Sequence, residues 1–198
     1  KRAGNGFHVH FSLLDEKGNN VFDDGSERGS DMLLSAVAGL LKTMSEAMLT
    51  FAPHQNSFRR LSPGSHAPTA IAWGYENRTA AIRIPGGPGN ARRIEHRVAG
   101  ADANPYLVLA SVLGGALIGI KQNLKPAKPV SGNAYGAGLA QLPPDWAGAI
   151  SAFENSAEME KIYSSQLQKL YAGCKKQELG KFLGHITDFE YDSYLEIV

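Results

Sequence analysis

The sequence predicts one globular domain in which short β-strands are combined with three helical regions. Of its 198 residues, 43% are hydrophobic, which is enough to build a core for a domain of this size. Apolar residues recur at helical spacing in three segments. The middle of the chain instead has short β-prone pieces between turns rich in Pro, Gly, Ser and Asn. Together these patterns indicate a mixed α and β fold.

The N-terminal part is expected to form a hairpin followed by a helix. Residues 6–14 are β-prone and alternate in polarity, and the turn at 16–20 would return the chain as a second strand. A helix is predicted from Ser30 or Asp31, either of which is a good N-cap, to about Thr50, because apolar residues repeat through it at helical spacing.

The remaining elements follow in the order strands, helix, loop, helix. Strands are predicted at 70–73, 79–84 and 92–98, and Asp102 is expected to cap a helix over 105–123. Residues 125–144 have no periodicity and predict a loop. A last helical region is predicted over 145–172, and the acidic, aromatic tail 182–198 is expected to dock on the domain.

Composition limits the classes of partner. The formal net charge is +1, which gives no reason to expect a nucleic acid or an anionic membrane. The longest apolar stretch, 107–120, is interrupted by glycines and too short to span a bilayer. Cys174 is the single cysteine, so the chain has no internal disulfide, as is usual in a reducing compartment. We therefore expect a cytoplasmic protein without a nucleic-acid or membrane partner.

Arginine is concentrated in one segment of the chain. Seven of the nine arginines lie between positions 59 and 97, a window with no lysine and only two acidic residues, Glu76 and Glu95. A guanidinium binds carboxylate and phosphate oxygens in a bidentate manner and keeps its charge, which explains a choice of arginine over lysine. The segment therefore predicts an anion site, while some of the seven arginines would instead be structural, paired with Glu76 or with backbone carbonyls. The seven are Arg59, Arg60, Arg78, Arg83, Arg92, Arg93 and Arg97.

Two short alternating stretches carry candidate metal ligands. Arg93, Glu95 and Arg97 would share one face of a strand, where two guanidiniums keep the carboxylate ionised; this pattern fits a metal ligand and also a plain ion-pair network. His8 and His10 would likewise share a face with Ser12, a spacing found in metal sites and also by chance. No Walker A loop is present, so arginines and metal would have to hold any phosphate. This combination of many guanidiniums, a carboxylate and one or two imidazoles suits metal-assisted phosphoryl transfer between anions.

Five ordered motifs make the chain resemble the catalytic domain of the glutamine synthetases. They are G-N-G-F-H-V-H-F-S, N-S-F-R-R-L-S-P-G, E-N-R-T-A-A-I-R-I-P, A-R-R-I-E-H-R and A-D-A-N-P-Y-L, and they extend from residue 4 to about 123. The resemblance implies an α+β fold with a curved antiparallel sheet backed by helices. It also implies that ATP phosphorylates the γ-carboxylate of glutamate, after which an amine or ammonia displaces the phosphate. Two Mg²⁺ or Mn²⁺ ions and a homo-oligomeric ring are implied as well.

The resemblance also implies roles for individual residues. His8 and Glu95 would bind metal, and His10 and Ser12 would line the nucleotide site. Glutamate would be held by the backbone of Gly4 and by two arginines, and the remaining arginines would act on phosphate. In this scheme Arg60 and Arg97 bind the carboxylates of glutamate, Arg78 steadies the transferring phosphoryl group, and Arg83 and Arg93 contact the phosphates of ATP.

The chain lacks parts that the resemblance leads one to expect. The N-terminal β-grasp domain and the first catalytic strands, with most metal-binding glutamates, have no counterpart in residues 1–198. Glu95 is the one candidate carboxylate ligand, too few for two hard cations. We therefore expect a C-terminal fragment of the catalytic domain that is inactive by itself.

His66 departs from the ammonia-using members, which have a glutamate in this loop. Relatives that join glutamate to larger amines vary at this position, so a γ-glutamyl–amine ligase is favoured over a true glutamine synthetase. A neutral imidazole would serve as the base for an incoming amine, while the simpler alternative is that His66 only packs in the loop.

A non-catalytic relative of the family is disfavoured because the arginines implied to bind phosphate and glutamate are all present in this sequence. A nucleic-acid binder would have more lysines and stacking aromatics.

Overall fold

A computed structural model describes residues 5–197, so Gly4 lies outside the described residues. Four strands, β1 (Val9–Phe11), β2 (Trp73–Tyr75), β3 (Ile82–Ile84) and β4 (Ile94–His96), form one sheet in the order β1-β4-β3-β2. The helices are α1 (Asp31–Thr43), α2 (Met48–Phe51), α3 (Pro105–Lys121), α4 (Trp146–Glu154), α5 (Ala157–Leu183) and α6 (Asp188–Tyr194). Short 3-10 turns occupy Gln55–Arg60, Gly89–Ala91 and Ala134–Gly136. The predicted α+β class is confirmed.

The sheet is mixed, so the expectation of an antiparallel sheet is wrong for one strand pair. β4 pairs antiparallel with both β1 and β3, but β2 and β3 run parallel. The chain leaves β2 at Glu76, whose φ is +52°, and the turn at 77–80 returns it to enter β3 in the same direction. Within that turn the side chain of Asn77 accepts from the backbone and hydroxyl of Thr79.

The helices cover one face of this sheet. Alternation places Ile82, Ile84, Ile94 and His96 in the core with α1 and α2, each at most 1% exposed. α1 also packs closely on α3 at Gly39, Gly115 and Gly119, where backbone of one helix meets backbone of the other. A side chain at Gly39 or Gly119 would overlap the partner helix. Glycine therefore sets the separation of these helices.

Helix ends differ from the sequence prediction in two places. The helix expected over 30–50 is divided, because α1 ends at Thr43 and α2 begins after a short turn. The side chain of Ser30 caps α1, as predicted. For α3 the cap is Asn104, which accepts from the backbone of the first turn. Asp102 lies two positions before this cap and instead accepts a hydrogen bond from the Ser57 hydroxyl at 2.6 Å.

The helices of the C-terminal region continue further along the chain than predicted. The helical region expected over 145–172 is divided: Asp145 caps α4, Ser156 caps α5, and α5 continues to Leu183 across a kink at Ser164, where φ is +68°. The tail was expected to dock on the domain, which is wrong for the part described: no residue of α6 is buried. Its large apolar side chains are exposed. Every helix within residues 5–197 falls short of what a bilayer crossing requires.

Candidate active site

Polar side chains occupy the face of the sheet that the helices leave uncovered. His8 and His10 flank the buried Val9 on and beside β1, Arg83 lies between the buried Ile82 and Ile84 of β3, and Glu95 is at the middle of β4. Register places His10 and Arg83 on either side of Glu95 as Cα partners. Alternation puts each of these side chains on the polar face of its strand, and strand pairing brings the histidines and the carboxylate together, as the family resemblance implied.

Glu95 is the centre of the cluster. Its carboxylate lies 3.1 Å from His8 Nδ1, 2.8 Å from Arg83 Nη1 and 3.3 Å from Arg97 Nε, and the Nε2 atom of His10 is 3.6 Å away. Burial by itself would raise the pKa of this carboxyl group. The hydrogen bonds from His8 and Arg83 and the charge of Arg97 outweigh burial and lower the pKa to about 2. The carboxylate is thus held ionised.

The two guanidiniums on Glu95 are not the pair predicted from the sequence. Arg83 takes the place expected for Arg93, because Arg83 is the cross-strand partner of Glu95. Arg93 precedes β4 and turns to β1, where its Nε donates to His10 Nδ1 at 3.3 Å. Arg83 also donates to Glu76, so this arginine joins two carboxylates.

His10 is held in one tautomer by its neighbours. Its Nδ1 accepts from Arg93 and its Nε2 faces the carboxylate of Glu95, which fits a neutral ring protonated at Nε2. Burial lowers the pKa of His10, and Arg93 adds to the effect, while Glu95 opposes it. The ring is therefore a neutral donor and acceptor that links β1 to two charged residues.

The two arginines predicted to bind glutamate brace the backbone beside this cluster. Arg97 is 5% exposed and donates to the carbonyl oxygens of Arg78 and Ala80 as well as to Glu95. Arg60 donates to Val98 O at 2.7 Å and to Arg97 O at 3.3 Å. They therefore lie side by side, and Arg97 fixes the turn that carries Arg78.

Other predicted site residues lie at the margin. Arg78 is exposed at the turn between β2 and β3, Ser12 is exposed just past β1, and His66 is exposed in the 62–66 loop with a φ of +63°. Within residues 5–197 their side chains form no hydrogen bond with the Glu95 cluster. Arg59 is exposed, and within the described part of the chain its side chain donates only to nearby Asn56.

Two residues for which no role was predicted from the sequence, Tyr135 and Asn77, connect the loop of His66 with the turn of Arg78. Tyr135 donates to Ala67 O at 2.9 Å, and Asn77 donates to the carbonyls of Val130 and Gly132 at 2.9 Å each. These three bonds tie the 130–136 segment to the loops carrying His66 and Arg78. No local pattern signals them, because 68 residues separate Tyr135 from Ala67.

His8 and Glu95 fit a shared metal ion as part of a ligand set. Two ligand atoms at about 2.1 Å from one cation and at right angles to each other are roughly 3 Å apart, and His8 Nδ1 and Glu95 Oε1 are 3.1 Å apart. An imidazole and an ionised carboxylate suit Mn²⁺. They also suit Mg²⁺ when the other ligands are oxygen atoms, because Mg²⁺ prefers oxygen to nitrogen. Residues 5–197 contain no group of three or more His, Cys, Asp or Glu side chains arranged to hold an ion. These two residues therefore fit as a partial site.

Known proteins similar to this chain include two γ-glutamyl–amine synthetases. The chain is 40% identical over 187 residues to γ-glutamylethanolamide synthetase GlnA4 of Streptomyces coelicolor, covering 94% of this chain and 40% of that protein. It is 36% identical over 196 residues to γ-glutamylputrescine synthetase PuuA of Escherichia coli, covering 99% of this chain and 42% of that protein. The chain thus spans less than half the length of these relatives.

Structure comparison and the family model agree with these relatives. The solved structure of a GmaS/ADP complex superposes with a TM-score of 0.88 at 28% identity, covering 98% of this chain and 46% of the other. Residues 1–194 match the family model described as the catalytic domain of glutamine synthetase. With nearly the whole chain matched and the sheet carrying the motif residues on one face, this chain belongs to the glutamine synthetase family.

Proposed function

We propose that this chain is part of an enzyme that joins the γ-carboxylate of glutamate to an amine, with ATP as the phosphoryl donor. An oxygen of the γ-carboxylate attacks the γ-phosphorus of ATP, ADP leaves, and γ-glutamyl phosphate forms. The amine nitrogen then attacks the acyl carbon, the bond to the phosphate oxygen breaks, and the nitrogen loses a proton. The observation that supports this best is the convergence of His8, Arg83 and Arg97 on the ionised Glu95.

The arginines would divide the anionic substrates between them. We assign Arg60 and Arg97, which lie side by side, to the carboxylates of glutamate, together with the backbone of Gly4. Arg83 and Arg93 would bind the phosphates of ATP, with His10 and Ser12 lining the nucleotide. Fixed positive groups that are already oriented stabilise charge on the transferring phosphoryl group without reorganising during the reaction.

Exposed Arg78 is assigned to the phosphoryl group in transfer, since its side chain is free of hydrogen bonds within the described part of the chain while its carbonyl is fixed by Arg97. Mg²⁺ or Mn²⁺ held by His8 and Glu95 would neutralise phosphate charge. The ring of subunits and the cytoplasmic location stay predictions, as does the fragment assignment of residues 1–198.

His66 is assigned to the acceptor amine. Its side chain is exposed, which supports contact with an incoming amine over packing in the loop. As a neutral imidazole it would accept the proton that the attacking amine loses. Two similar proteins are named for ethanolamide and putrescine products, which supports an amine larger than ammonia. The family description favours glutamine synthesis from ammonia as the second candidate.

An acceptor series tests the proposal. Glutamate-dependent phosphate release from ATP would be measured with the whole protein carrying this sequence, using ammonia, methylamine, ethanolamine and putrescine in turn. We expect turnover with at least one of the amines to exceed turnover with ammonia. Activity with ammonia alone would favour the second candidate, and no glutamate-dependent release with any acceptor would refute both.

A variant in the same assay tests the role of His66. His66→Glu should shift preference toward ammonia, because a carboxylate stabilises a small cation and accepts its proton. Arg59→Gln is the matched control, since Arg59 is an exposed residue of the same region whose only hydrogen bond is local. An unchanged ratio of ammonia to amine turnover in His66→Glu would remove His66 from acceptor selection.

A further inference from the structure

Tyr135 reaches the His66 loop from a distant part of the chain. It lies in the 3-10 turn Ala134–Gly136, and its hydroxyl donates to Ala67 O at 2.9 Å. Ala67 directly follows His66 and is 3% exposed, so this bond acts at the point where the exposed loop re-enters the domain.

The loop has few other restraints. Apart from the bond from Tyr135, the hydrogen bonds of 62–68 are short-range: Ser62 and Ser65 donate to Arg60 O or Ser62 O, and the Ala67 N–H donates to Ser65 Oγ. Within residues 5–197, Tyr135 therefore provides the one hydrogen bond that reaches this loop from far away in sequence. Loss of that bond would leave 62–68 restrained by its own turn and by the bonds just beyond it, from Leu142 N–H to Thr69 O and from Ile71 N–H to Ala140 O, both 2.8 Å.

The segment that carries Tyr135 is itself fixed to the turn of Arg78. Asn77 Nδ2 donates to Val130 O and Gly132 O, and the backbone N–H of Ala134 donates to Thr79 Oγ1 at 2.9 Å. Asn77 and Thr79 are the neighbours of Arg78 on either side. The 130–136 segment is thus a bridge between the loop of His66 and the turn of Arg78.

The surroundings of Tyr135 keep its hydroxyl group protonated, so that it can donate a hydrogen bond. Burial raises the pKa of Tyr135, and the nearby charges of Arg97 and Arg60 offset only part of that rise. The hydroxyl therefore stays protonated at neutral pH and close to the two arginines assigned to glutamate.

We propose that Tyr135 is a positioning residue for the acceptor amine: its hydroxyl, by holding Ala67, fixes the loop that carries His66 relative to Arg60, Arg97 and the turn of Arg78. The amine must approach the acyl carbon of a glutamate already held by those arginines, so the position of the loop decides how well the amine is oriented. This inference rests on the proposed function and adds Tyr135 to the residues assigned to the acceptor amine.

Tyr135→Phe in the whole protein tests it, because the ring stays and only the donor is lost. We expect the KM for the amine to rise about fivefold, which corresponds to ~1 kcal/mol at 1.4 kcal/mol per tenfold change. The KM values for ATP and glutamate should change less than about twofold. Tyr75→Phe is the matched control, since the Tyr75 hydroxyl also donates to a backbone carbonyl, that of Arg28, at 2.8 Å.

Amide hydrogen exchange gives a second measurement that does not depend on activity. Peptides covering 62–68 should exchange faster in Tyr135→Phe than in the parent protein, and no faster in Tyr75→Phe. Unchanged amine KM, equal changes in all three KM values, or unchanged exchange in 62–68 would each overturn the inference. If the parent protein shows no amine-dependent turnover, the proposed function fails, and the exchange result alone decides whether Tyr135 fixes the loop.

Discussion

Arg83 Nη1 donates to Glu95 Oε2 at 2.8 Å across the β3–β4 pair, where the two residues are direct cross-strand partners. The carboxylate is 4% exposed, so its charge depends on neighbouring donors for compensation. Arg83→Gln should lower the free energy of unfolding by about 1–3 kcal/mol, because a charge-assisted hydrogen bond to a buried group is lost. Denaturant unfolding of the whole protein measures this change.

Arg59→Gln serves as the control for Arg83→Gln. Arg59 is exposed and donates only to Asn56, so its replacement should change stability by less than about 0.5 kcal/mol. Equal losses in the two variants would mean that the Glu95 cluster does not hold the sheet together.

The close approach of α1 and α3 gives a second prediction. A Cβ at Gly119 would overlap the backbone of Ser35 and Gly39, and backbone atoms on two packed helices have no free space to move into. Gly119→Ala should therefore lower the free energy of unfolding by about 1–3 kcal/mol. Gly180→Ala is the control: it also lies inside a helix, nothing lies within 4 Å of its Cβ position, and it should gain up to about 1 kcal/mol. A stabilising effect of Gly119→Ala, measured by thermal unfolding, would contradict the packing.

Alternation was enough to predict that His8 and His10 share one face of their strand, because successive side chains of a strand point to opposite sides. That Glu95, more than 80 residues away, lies beside them was implied only by the family resemblance, because it depends on the pairing of β1 with β4. The partner of Glu95 was not predictable in the same way. Choosing Arg83 over Arg93 requires the register between β3 and β4, which local pattern does not contain.

Long-range features escaped prediction for related physical reasons. The parallel direction of β2 follows from the positive φ of Glu76 and the turn after it, and a short β-prone run has no signature of direction. The bridge formed by Tyr135 lies in a segment without periodicity, so sequence reasoning described it only as a loop. The cap of α3 was misassigned by two positions, from Asn104 to Asp102, because both side chains are good caps.

Glu158 gives a prediction about pH. It accepts from Lys42 of α1 at 2.7 Å and from Lys161 of α5 at 3.1 Å, and the hydrogen bond from Lys42 is the largest effect lowering its pKa. A lowered carboxyl pKa in the folded state contributes stability above the ordinary pKa, and this contribution is lost as pH falls through the lowered value. Glu158→Gln should therefore cost about 0.5–1 kcal/mol at pH 7, and the difference from the parent should shrink as pH falls below the ordinary carboxyl pKa and disappear once pH is below the lowered value.

The control for Glu158 is its neighbour on the same helical turn. Glu160→Gln removes an exposed carboxylate at a similar distance from the start of α5, so any effect of the helix dipole is matched. Glu160 forms no ion pair within residues 5–197. Unfolding curves at several pH values should separate the two variants at pH 7. If the loss in Glu158→Gln persisted unchanged at acidic pH, the carboxylate would not be its cause.

The backbone of His66 has a positive φ, which residues with a side chain disfavour. Substitutions at this position therefore allow the folding of the loop and the chemistry of the imidazole to be tested separately. With a φ of +63°, His66→Gly relieves a cost of about 1–2 kcal/mol that offsets the greater flexibility of glycine in the unfolded chain. His66→Gly should therefore leave the thermal midpoint close to that of the parent, whereas His66→Val should lower it, because a β-branched residue is strained at positive φ. A fall in amine-dependent turnover in His66→Gly would then reflect loss of the imidazole, since the loop still folds. Equal thermal midpoints for the glycine and valine variants would show that the loop relaxes to another conformation, and turnover alone would no longer identify the imidazole as the acting group.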